Sequence, residues 1–72
     1  MEFLKVIFFE ERGVLVTGKR SGKTNLVLEI EAGAHTISLA PPTDFKPKQI
    51  KVVLEADQTA PLSPEEVTFE TV

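Results

Sequence analysis

The sequence contains no cysteine, tryptophan or tyrosine, and only one histidine and one methionine. Without cysteine there is neither a disulfide nor a thiolate-held metal. Without Trp and Tyr the usual base-stacking residues and the commonest interface anchors are missing. An excess of positive charge is also lacking, with 8 basic against 11 acidic side chains and a net charge of −3. A duplex nucleic-acid binder needs a basic face that releases counterions, so no nucleic acid is expected as a partner. No run approaches the roughly 18 apolar residues of a membrane span. Met1-Glu2-Phe3-Leu4-Lys5 lacks the cationic start and long apolar stretch of a secretion signal. A cytoplasmic location is therefore the expectation for the chain as it stands, and an extracytoplasmic one if it is excised from a longer exported protein. There is no internal repeat, no low-complexity tract and no helix-length periodic segment.

What is present is a single small domain spanning residues 1–72. A chain near this size buries only about 60% of the surface it exposes when unfolded. Its Val, Ile, Leu and Phe side chains each contribute roughly 1.5–3 kcal/mol when fully buried. Against them stands a backbone entropy of about 1–2 kcal/mol per ordered residue. A second copy of the chain, or a neighbouring domain, is a natural source of further burial.

The stretch Gly22 to Ala40 organises the rest. Leu26-Leu28-Ile30 and His35-Ile37-Leu39 alternate strictly around the turn residues Glu31 to Ala34, which predicts a β-hairpin with one buried face. Asn25, Val27, Glu29 and Glu31 then point outward. Ahead of it, Phe3 to Phe9 is aromatic and β-branched, favouring a strand. Because it is apolar on both parities, it reads either as a central strand covered by the proline-rich loop or as an edge that meets a partner. Glu10-Glu11-Arg12-Gly13 is a polar turn, Val14 to Thr17 a second strand, and Gly18 to Gly22 a glycine-bracketed turn. Pro41 to Lys48 cannot be a central strand, since its prolines lack a donor; it reads as a loop crossing between sheets, with Phe45 as its plug. Gln49 to Glu55 alternates with Ile50, Val52 and Leu54 inward. Ala56 to Pro64 is a second loop. Ser63-Pro64-Glu65-Glu66 has the form of a helix start, but the run ending Val67-Thr68-Phe69-Glu70 favours a last strand. About six or seven short strands define an all-β fold, a small antiparallel β-sandwich.

Val14-Leu15-Val16-Thr17-Gly18, Gly22-Lys23-Thr24, Leu26-Val27-Leu28 and Gly33-Ala34-His35-Thr36-Ile37, followed by Phe45 and the run Ile50 to Leu54, occur in an order that resembles the PEGA domain. That family comprises small bacterial and archaeal β-sandwich modules of transthyretin-like or carboxypeptidase-regulatory-like architecture. The resemblance covers roughly residues 6 to 56, about two-thirds of the chain. Asn25 stands where the family usually has proline, and Asp44-Phe45 where it has Gly-Tyr. The resemblance implies a prokaryotic, non-enzymatic accessory fold that binds surfaces or other proteins.

Each chemical candidate has a plainer explanation. Gly18-Lys19-Arg20-Ser21-Gly22-Lys23-Thr24 approaches a phosphate-binding loop, but it is one residue short and a strand follows where a helix is required. A β-turn carrying cations on its tip explains it better, and Lys46, Lys48 and Lys51 form a second solvated cluster. A metal site needs several converging ligands. His35 stands alone, so a rim histidine holding a loop carbonyl is the simpler role. Glu29 and Glu31 share a face but have no desolvating surround to split their pKa values. Ser21, Ser38 and Ser63 have no positioned base. The sequence thus indicates no catalytic residue, no cofactor and no metal.

The remaining signal is apolar surface. Phe3, Phe8, Phe9, Phe45, Val67 and Phe69 are the candidate interface residues, because exposed apolar patches and free strand edges mark contact sites. The expected function is a non-catalytic module mediating protein–protein contacts, with a homodimer through an edge strand, the first or the last, as one form of it. The alternative is a small-ligand or carbohydrate-binding module using the loop 41–48 and Phe45.

Overall fold

The computed structural model describes residues 1–72 as an all-β fold with no helix. Its nine strands are β1 (Glu2–Ile7), β2 (Gly13–Val16), β3 (Lys19–Lys23), β4 (Val27–Ile30), β5 (Gly33–Leu39), β6 (Phe45–Lys46), β7 (Ile50–Leu54), β8 (Glu65–Thr68) and β9 (Glu70–Thr71). They form a three-stranded sheet in the order β4-β1-β8, a four-stranded sheet in the order β3-β2-β5-β7, and a two-stranded sheet of β6 with β9. Twelve apolar side chains from all three sheets make one core, including Leu4, Val6, Val14, Leu28, Ile30, Ile37, Leu39 and Leu54. Every strand that crosses this core contributes alternate residues to it, as a pleated strand with one buried face must.

The central expectation is corrected in its pairing. β4 and β5 do not form a hairpin: β4 pairs with β1, placing Leu28 opposite Leu4, whereas β5 lies between β2 and β7. Glu31 and Ala32 carry the chain from one sheet to the other, so the two apolar faces stack across the core instead of side by side. Alternation specifies which side chains turn inward, and both arrangements satisfy it. Leu26, expected inward, is 57% exposed, because Asn25 adopts a left-handed φ of 66° and the strand begins only at Val27. Asn is among the few residues that tolerate that conformation.

The expected turn over Gly18 to Gly22 is mostly strand. The turn is the two residues Thr17 and Gly18, with φ of 50° and 80°, between the paired Val16 and Lys19. Positive φ at both central positions is the hairpin turn whose twist suits its strands. Lys19, Arg20 and Lys23 therefore lie along β3 and not on a loop tip. Gly22 is required by close approach, since a Cβ there would overlap the buried Leu28 side chain.

One open alternative is decided, and three further expectations change. β1 is a central strand, flanked by β4 and β8, which removes it as a free edge. Its second face, carrying Phe3, Lys5 and Ile7, is nevertheless only half-buried. β8 runs parallel to β1, so the sandwich is not wholly antiparallel. The proline-rich segment does not cross between the two larger sheets: it leaves β5, forms β6, and returns as β7, the antiparallel neighbour of β5. The last expected strand is broken at Phe69 into β8 and β9, and Phe69 is buried there.

Candidate functional site

The structure sorts the six apolar candidates into core and surface. Phe8, Phe45 and Phe69 are buried and meet edge-to-face, with ring centroids 6.4 Å apart for Phe8 and Phe45 and 5.6 Å for Phe45 and Phe69. They form the closed end of the sandwich, so they are not surface anchors, and the correction follows from β6 pairing with β9 beneath them. Phe9 is 67% exposed, with its ring set edge-on to Phe8. Phe3 is half-buried, and Val67 is partly buried against the core.

Arg12, which sequence reading placed in a mere polar turn, locks this end. Its guanidinium lies 5.2 Å from the Phe8 ring centroid and donates to Asp44 Oδ1 at 2.9 Å, to Asp44 Oδ2 at 3.2 Å and to the Pro42 carbonyl at 3.0 Å, with Glu10 as a further partner. A forked, planar cation suits a carboxylate on one side and an aromatic face on the other. The proline-rich segment is thus tied to the β1–β2 turn. Thr24 and Asn25 complete the tie. The Thr24 hydroxyl donates to the Glu10 carbonyl at 2.7 Å and accepts the Arg12 N–H at 2.9 Å. The Asn25 amide donates to the Phe8 carbonyl and accepts the Phe8 N–H, extending the β1–β4 ladder by one rung. Only the left-handed tolerance of Asn25 signalled any of this in the sequence.

At the opposite end, Glu2 is buried yet fully partnered. It accepts the Thr59 hydroxyl at 2.7 Å and the N–H groups of Asp57 and Thr59 at 3.0 and 3.2 Å, pinning the Ala56–Pro64 loop to β1. Donors to the ionised form hold its carboxyl below the usual range, outweighing burial, and the Arg12 guanidinium does the same for Asp44. Both groups therefore stabilise the fold fully above the ordinary carboxyl pKa values of about 4, and that stability is lost as pH falls below them. Scanning calorimetry from neutral pH to about pH 3 is expected to show a flat melting temperature that drops steeply on the acid side. Glu2→Gln and Asp44→Asn each start lower and fall less.

The remaining candidates take ordinary places. The His35 Nε2 lies 2.7 Å from the Glu31 carbonyl, the role expected of a rim histidine. Glu29 and Glu31 are exposed. No group of three or more His, Asp or Glu converges as a metal site. No helix is long and apolar enough to cross a membrane.

What the fold leaves open is one side of the sandwich. Near β3 and β4 the chain itself closes the gap through Thr24 and Asn25. Opposite, β7 and β8 are both terminal strands of their sheets, and a cleft lined by Val53, Leu54, Glu55, Gln58, Thr59 and Glu65 separates them. Ile50, Val52 and Val67 are only partly covered against the core, and Val53 is 70% exposed. Charge is divided between the sheets. Glu2, Glu29, Glu65 and Glu66 lie on the β4-β1-β8 strands, with Lys5 as their one base, whereas Lys19, Arg20, Lys23 and Lys51 lie on the other sheet's strands with no acid. No protein-family model, curated protein or solved structure matches the chain.

Proposed function

We propose that the chain is a non-catalytic protein-contact module that accepts an extended segment on the free edge of its four-stranded sheet. One observation carries this reading: β7 is an uncovered edge strand of five residues with no proline, no bulge and a single charge, Lys51. Natural edges are usually guarded by charge, proline, bulges or a covering loop, and an unguarded one is a template for strand addition. β3, the other edge of the same sheet, is guarded by Lys19, Arg20 and Lys23 and by a register shift in its pairing. The half-covered Ile50 and Val52 add apolar surface for alternate side chains of the incoming strand. The PEGA resemblance agrees with an accessory binding role.

A displayed random-peptide library panned on the protein is expected to enrich segments of alternating apolar residues. Their amide chemical-shift changes should fall on Ile50–Leu54. Perturbations confined to β3, or to the loop 41–48, would count against the proposal.

A small-ligand or carbohydrate site is the second reading. It is favoured by a cleft of about 620 Å³ lined by Thr43, Phe45, Lys46, Lys48 and Val72. It ranks lower because Phe45, its main apolar wall, is already committed to the core.

A further inference from the structure

Resting on the strand-docking reading, we infer that the occupant of the β7 edge is a second copy of this chain, paired antiparallel about a two-fold axis through Val52. The argument is self-complementarity. Ile50, Val52 and Leu54 face the core side, whereas Lys51 and Val53 face outward. Two antiparallel strands centred on Val52 place Ile50 of one copy against Leu54 of the other and Val52 against itself, so inward faces inward. On the outer face Lys51 of one copy meets Val53 of the other, and Gln49 meets Glu55. No like charges stand directly opposite, and the diagonal neighbours of Lys51 are Glu55 and Lys51 of the other copy.

The other edges fail this comparison. Centring β3 on Ser21 sets Lys19 against Lys23 of the other copy. Pairing β8 with itself puts four carboxylates, Glu65 and Glu66 of both copies, on one short ladder. β4 centred on Leu28 leaves Glu29 diagonal to Glu29 of the other copy with no opposite charge beside it, whereas Lys51 has Glu55. Opposed like charges destabilise strand pairs. A dimer through β7 instead joins the two four-stranded sheets into one continuous sheet and covers the partly buried Ile50 and Val52. A two-fold axis closes the assembly at two copies, which an isologous interface requires.

The register makes a signed prediction that sedimentation equilibrium can read. Val53 is 70% exposed, so its replacement leaves the fold intact, as circular dichroism and the melting temperature check. The wild-type mass is expected to rise toward twice the monomer with concentration. Val53→Lys faces Lys51 twice, once in each half of the interface, and should weaken the dimer by about 2- to 30-fold. Val53→Glu should tighten it by a similar factor at low salt and lose the gain at high salt. The double variant Lys51→Glu with Val53→Lys should recover the tight, salt-sensitive dimer. A wild-type chain that stays monomeric at millimolar concentration overturns the inference, as does a dimer indifferent to all three variants. If that monomer still docks library peptides on Ile50–Leu54, strand docking stands and only the second copy is lost. If neither occurs, both readings fall together.

Discussion

Phe45→Ala is expected to lower stability by about 3–5 kcal/mol, the range for emptying a buried phenylalanine site. The position has little capacity to absorb the loss. Phe45 is 7% exposed, packs edge-to-face on both Phe8 and Phe69, and lies in a two-residue strand paired with Glu70–Thr71. Removing the ring leaves a void at the closed end of the sandwich and takes away the main apolar anchor of the proline-rich segment. For 72 residues, the usual margin of about 0.05–0.15 kcal/mol per residue gives a total near 4–11 kcal/mol. The truncation therefore consumes a large part of the whole. Urea unfolding followed by far-ultraviolet dichroism is the measurement, and the midpoint should move sharply while the slope stays near its wild-type value. Phe45→Leu, which refills most of the volume, should recover much of the difference. A variant as stable as wild type would show that the aromatic cluster is not a main support of the fold.

Thr24→Val should cost about 2–3 kcal/mol, although the two side chains are almost the same shape. Thr24 is only 1% exposed, and its hydroxyl satisfies the Arg12 N–H and the Glu10 carbonyl together. The methyl that replaces it can do neither, and a backbone group left unpaired costs about 1–3 kcal/mol. Glu10 is exposed, so water can reach its carbonyl, which sets the expected value near the lower end for two lost bonds. Thr24→Ser keeps both hydrogen bonds and should stay much closer to wild type. Chemical denaturation of the three proteins separates the polar contribution from packing. A Ser variant that loses stability while the Val variant stays near wild type would assign the role of Thr24 to its methyl group.

These two residues also show why the fold was only partly legible in the sequence. Phe45 was recognisable as a plug because it is the one large apolar residue inside a proline-rich segment. Thr24 was recognisable only as part of a Gly-Lys-Thr that suggested phosphate chemistry. Its actual partners lie 12 and 14 residues away along the chain, and nothing in local spacing names them. Arg12 and Glu2 were hidden for the same reason. A charged residue reads as solvated until the tertiary structure delivers enough donors or acceptors to bury it: Asp44, Glu10 and the Pro42 carbonyl for Arg12, and the Ala56–Pro64 loop for Glu2. Leu26 was misplaced because alternation was carried back to Asn25, whereas the left-handed backbone there delays the start of the strand until Val27.

By itself the sequence determined that this is an all-β chain, and it identified most of the inward-facing set. Ile37 and Leu39, Leu28 and Ile30, and Ile50, Val52 and Leu54 turn toward the core as their period of two requires. That information is local, because a pleated backbone alternates its side chains whatever lies beside it. Only the tertiary structure decided which strand pairs with which. β4 joins β1 across the core from β5, β8 lies parallel to β1, and the proline-rich segment returns to the sheet it left. Backbone hydrogen bonds carry no residue code, so partner choice emerges from closing every strand over one shared core at once. The same closure left β7 as the open edge on which the functional proposals rest.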